Sequence, residues 1–207
     1  MTKFNAMIAR ATAALALTLG CASGQALAAP LYHVDIDTTT LSGQAGYLDF
    51  LYLALADATP AHATLTHLAG DFDAASFTFG DAAGTVGSTV TLGSGNGGSE
   101  FAQWARLGGR FSFDLAFDAQ SDAGAGAGAG VFAGTTFSVA LLDDGFHYLG
   151  STGDLVTISL QPGQPDAIGA DAGFAAVSAA VPEPSTAWLG AAGLLLLAGM
   201  RRRSPGR

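Results

Sequence analysis

From Arg110 to Asp118 the chain alternates with a period of two: Phe111, Phe113, Leu115 and Phe117 on one parity, with Ser112, Asp114 and Asp118 on the other. Successive side chains point to opposite faces only in an extended strand, so this spacing predicts a strand with one apolar face. Such a strand must lay its apolar face on a second layer, and that constrains the fold more than any other stretch. Tyr32, Val34 and Ile36 repeat the pattern against His33, Asp35 and Asp37. Further strands are predicted at Ala63 to Leu68, at Asp71 to Phe79 with Phe72, Phe77 and Phe79, and at Val86, Val90 and Leu92. Phe137, Val139 and Leu141 make another, closed by the turn signal Asp143-Asp144-Gly145, and Val156, Ile158 and Leu160 end the series. Gly46 to Ala56 is apolar at nearly every residue, as expected of a central strand covered on both sides.

About eight strands with glycine-rich turns and no long helical period predict one all-β domain, a β-sandwich or jelly-roll-like fold, over residues 29–177. Phe101, Trp104 and Leu107 recur every three residues, which predicts a short helix or a packed loop from Ser99 to Leu107. Gly124 to Gly130 alternates with alanine and reads as a surface loop. A last strand is expected near Phe174 to Val177, followed by a spacer over residues 178–181.

Charge and cysteine narrow the function classes. From Pro30 to Val181 only Arg106 and Arg110 are basic, against sixteen acids, so this body repels nucleic acid and anionic membrane surfaces. Cys21 is the only cysteine, and it lies in the leader described next. The mature chain therefore has no disulfide, thiolate metal site or cysteine nucleophile.

Both ends read as targeting signals. Lys3 and Arg10, the apolar stretch Ala11 to Leu19, and the small-residue site Ala26-Leu27-Ala28 make a signal peptide over residues 1–28, cut after Ala28 by signal peptidase. Thr18-Leu19-Gly20 before Cys21 is a poor lipobox. At the other end Pro182-Glu183-Pro184 precedes an apolar run to Met200, read as a transmembrane helix over residues 185–200, and then Arg201-Arg202-Arg203. That run is close to a minimal span, and a basic triplet after it sets the far end in the cytoplasm. A buried core helix is the competing reading, but one seldom ends in such a triplet.

This order of motif, helix and basic cluster over residues 182–203 resembles the PEP-CTERM sorting signal of Gram-negative bacteria. The body resembles one group of PEP-CTERM proteins of unknown function, through Tyr32 to Thr38, Gly46 to Phe50 and Phe111 to Leu115. The resemblance implies recognition by exosortase, an integral-membrane cysteine transpeptidase-like enzyme. It also implies anchoring in the inner membrane before processing, then a place at the cell surface or outside, linked to exopolysaccharide or biofilm material.

Catalytic patterns are sparse. The glycines of 124–130 have neither Rossmann spacing nor a phosphate-loop lysine, no G-x-S-x-G elbow occurs, and Glu100 is the only glutamate of the body. His33, Asp35 and Asp37 share one strand face and offer cation-ligating chemistry; the outward face of an edge strand accounts for them equally. His62, His67 and His147 read as isolated. None of these patterns calls for a cofactor or an enzyme. Two readings follow: a non-catalytic exported surface or matrix protein, or a binding module for polysaccharide or cations. The second would use Trp104 as an aromatic platform beside Tyr47, with Tyr52 and Tyr148 in reserve. An exposed Trp104 next to a tyrosine favours binding; a buried one favours the structural role.

Overall fold

The computed structural model describes residues 31–55, 58, 61–95, 97–119, 134–161 and 165–180. The signal peptide, the Gly124 to Gly130 segment and the sorting tail lie outside them. Among the described residues no helix is long and apolar enough to cross a membrane.

Among the described residues twelve strands form: β1 (Leu31–Asp37), β2 (Ala45–Ala54), β3 (Ala61–Ala69), β4 (Phe72–Phe79), β5 (Ala82–Gly84), β6 (Val90–Gly93), β7 (Gly98–Arg106), β8 (Arg110–Ala119), β9 (Thr135–Leu142), β10 (Val156–Leu160), β11 (Ala167–Ala170) and β12 (Ala175–Ala180). They make two antiparallel six-stranded sheets, the first ordered β12-β1-β8-β3-β6-β5 and the second β11-β10-β9-β2-β7-β4. Pairing is nested, β1 with β8, β2 with β7 and β3 with β6, as in a long hairpin rolled up on itself.

The alternation read from the sequence sets the core. Phe111, Phe113, Leu115 and Phe117 are all buried, as are Tyr32, Val34 and Ile36. Phe113 meets Phe50 edge-on at 5.4 Å and lies 6.2 Å from Phe137, so it bridges the sheets. The Tyr32 hydroxyl donates to the Asp166 carboxylate, and with burial this pushes the phenol well above its ordinary range.

Four expectations need correction. The sandwich has twelve strands rather than about eight, because β5 and β11 are short and built mainly of alanine and glycine, which carry no periodicity. Ser99 to Leu107 is neither helix nor loop. It is β7, with Ser99, Phe101, Gln103 and Ala105 turned inward. The period of two was hidden by the inward Gln103, whose Nε2 donates to the Asp73 carbonyl at 2.6 Å and the Ala75 carbonyl at 3.0 Å. Those carbonyls sit where β4 shifts register between Phe72 and Ser76, and the shift turns Phe72 inward onto Phe111 while Phe77 and Phe79 face out. The final strand runs to Ala180, three residues into the segment read as spacer. Lastly, β1 is not an edge strand, since β12 lies outside it.

Candidate functional site

The second sheet's outer face gathers aromatic rings that have no place in the core. Register sets Tyr47 of β2 opposite Trp104 of β7, and their rings meet edge-to-face at 4.7 Å. Phe77 of β4 packs edge-on against Tyr47 at 5.4 Å. Phe146 stacks on Tyr47 with centroids 5.7 Å apart and planes 3° from parallel. The turn after β9 delivers that ring: Asp143 Oδ1 accepts from the backbone N–H of Gly145 and His147, and Phe146 sits at φ 61°. A bulky residue at positive φ is strained, so the turn holds Phe146 in place against a local preference. Trp104 and Tyr47 are half-buried, whereas Phe146 is 57 % and Phe79 71 % exposed.

The row beside these rings is low and acidic. Asp49 is flanked by Ala102 of β7 and Ala140 of β9, and all three are buried. Asp49 is only 8 % exposed, and its Oδ1 makes no hydrogen bond among the described residues. Burial first, then the Glu100 charge and a side-chain hydrogen bond with Glu100, and last the Asp154 charge, push Asp49 up to about 7. The Tyr148 hydroxyl donates to Asp154 Oδ1 at 3.2 Å, and the Asp154 and Asp49 charges raise that phenol. Asp49 is buried, Glu100 half-buried and Asp154 exposed.

The first sheet's outer face carries the histidines. His33 Nδ1 lies 2.6 Å from Asp114 Oδ1, and His67 Nδ1 lies 2.9 Å from Asp114 Oδ2. The register shift in β3 between Thr66 and Ala69, with His67 at φ 53°, brings His67 to this carboxylate. The Asp114 bond, with Asp35 adding charge, raises His33; both histidines hold Asp114 below the usual carboxylate range. His33 Nε2 lies 3.5 Å from Asp35, but Asp37 turns instead to the Thr39 N–H and the Arg110 guanidinium. So His33, Asp35 and Asp37 share a face without converging. Among the described residues no group of three or more such side chains is placed to hold a metal ion. Nor are the other histidines isolated: His67 shares Asp114, His62 lies 3.9 Å from Asp81, and His147 lies 3.3 Å from Asp143.

Trp104 and Tyr47, named from the sequence as a possible ligand surface, lie together on this face, and Tyr148 lies near them beside Asp154. Tyr52 does not, being fully buried in the core. Asp49, Asp154 and Phe146 were missed. One signal was present: Asp49 is the sole charge within the apolar run Gly46 to Leu55, where a carboxylate is costly. Pro182, Glu183, Pro184, Arg201 to Arg203, Ala26 and Ala28 lie outside the described residues. Comparison of the chain with known protein-family models, characterised proteins and solved structures finds no match.

Proposed function

We propose that this chain is an exported, non-catalytic envelope protein whose second sheet holds polysaccharide on its outer face. The observation that carries the reading is the packed group of Tyr47, Trp104, Phe77 and Phe146, with Asp49 and Glu100 in the neighbouring rows of the same face and the rings left partly open to solvent. Aromatic faces suit the apolar faces of sugar rings, and neighbouring carboxylates accept hydrogen bonds from hydroxyl groups. A ring cluster that served only to pack would be drawn into the core, where the chain already places its other large aromatics.

Delivery follows from the two ends as read from the sequence. Signal peptidase cuts after Ala28; the helix over residues 185–200 anchors the chain in the inner membrane; exosortase acts at Pro182-Glu183-Pro184. Proline on both sides of Glu183 disfavours helix and keeps this motif extended and open to an enzyme. Mass spectrometry of the protein from its host and from a strain lacking exosortase tests the delivery. The expected result is loss of Trp188 to Arg203 in the host alone, and an intact tail in both strains refutes it. For the ligand, the purified chain is expected to be retained by the host's own polysaccharide, and Trp104→Ala to lose most of that retention while still folded. Equal retention of both proteins would defeat the reading.

A further inference from the structure

We propose that the Asp49, Glu100 and Asp154 cluster, bordered by Tyr47, Trp104 and Tyr148, receives the protonated amine of an amino sugar within that polysaccharide. The inference rests on the polysaccharide reading and narrows it to polymers bearing free amines.

Charge pairing elsewhere is the first argument. Arg106 is held by Asp71 and Asp73, and Arg110 by Asp37. His33 and His67 share Asp114, His62 faces Asp81, and His147 faces Asp143. Every basic side chain of the body is thus engaged at another place, and among the described residues no ion pair reaches Asp49, Glu100 or Asp154. Glu100 and Asp154 both lie close enough to Asp49 to raise it, and no described cation is paired with any of the three. The second argument is Asp49 itself, a residue more than nine-tenths buried whose buried Oδ1 lacks a donor among the described residues. Buried acceptors are nearly always paired, so this one is poised for a donor that arrives with a ligand. An ammonium group supplies three N–H donors and the compensating charge.

Backbone pairing separates a sugar from a basic peptide. An extended peptide gains much of its affinity by adding to a sheet edge. Here β2 is bonded on both sides, by β7 and β9, and β7 on both sides, by β2 and β4. This face offers only side chains: carboxylates for amines and hydroxyls, and open rings at Phe146, Tyr148 and Phe79 for stacking.

The test is calorimetric titration of the full-length chain in detergent with a glucosamine hexamer and with its fully N-acetylated counterpart, which keeps the ring and loses the charge. The glucosamine hexamer is expected to bind at least about tenfold tighter, an advantage that shrinks with added salt. Glu100→Gln with Asp154→Asn is expected to erase the difference between the two hexamers. Asp154→Asn alone, at an exposed position, is expected to reduce the difference where the double variant does not fold. Equal affinity of the wild-type chain for both hexamers overturns the amine inference and leaves the polysaccharide reading standing. Hexalysine binding as tightly as glucosamine overturns the sugar assignment, and failure of both hexamers to bind overturns the amine inference, while retention on the host's own polysaccharide decides the wider reading.

Discussion

The outer faces of the two sheets are built from similar means and end in opposite states. Each carries one non-glycine residue held at positive φ, His67 on the first and Phe146 on the second, and each centres on an aspartate of an interior strand. On the first face Asp114 meets two imidazoles and its charge is matched where it stands. On the second, Asp49 meets two more acids and a group of rings, and nothing described matches it. A matched, open pair is a solvated surface; an unmatched, buried carboxyl beside half-open rings is unfinished business for a ligand. The difference lies in what the neighbouring strands contribute, since the alternation that builds both faces is the same.

The largest expected effect ignores the difference between the faces. Phe113 packs between the sheets, so Phe113→Ala should cost about 3–5 kcal/mol and melt both faces together in urea. Phe146→Ala, removing a ring 57 % exposed at a strained position, should cost about 1 kcal/mol or less. A comparable loss from both substitutions would mean that the second face is core and not surface.

Titration separates the faces next. Asp49 is raised in the folded state, so its proton stabilises the fold below the ordinary carboxylate range, and that contribution is lost as pH rises through about 7. Asp49→Asn should flatten this fall in melting temperature between about pH 4 and pH 7. An unchanged slope in the variant would show that Asp49 titrates normally.

The smallest effect belongs to the first face. Asp114 is lowered and His33 raised, so their pair adds stability between the two values: it is lost as pH falls through the Asp114 value and as it rises through that of His33. Because His33 is largely exposed, Asp114→Asn should cost about 1 kcal/mol or less near pH 6 and nothing measurable near pH 9. Losses of equal size at both values would mean that Asp114 acts by packing.

What the sequence disclosed tracks how far each feature depends on period. The inward phase of Arg110 to Asp118 and of Tyr32 to Ile36 was legible because apolar and polar residues alternate without interruption. β7 was not, because an inward glutamine and inward alanine broke the contrast while Phe101, Trp104 and Leu107 happened to recur by threes. The site shows the same divide. Trp104 and Tyr47 stand out as rare surface-capable aromatics, but their contact depends on strand register, which a single strand cannot disclose. Phe146 and Asp154 reach the site through the connection between β9 and β10, whose path has no period at all. The His67 pairing with Asp114 depends on a register shift for the same reason.

Hydroxyl-radical footprinting of the full-length chain, with and without the host's own polysaccharide, tests most directly the claim that the second face is the one that binds. Aromatic and histidine side chains both react readily, so the two faces report in one experiment. Protection is expected at Tyr47, Trp104, Phe146 and Tyr148, with His33 and His67 unchanged. Protection centred on His33 and His67, or spread evenly over both faces, would contradict the account.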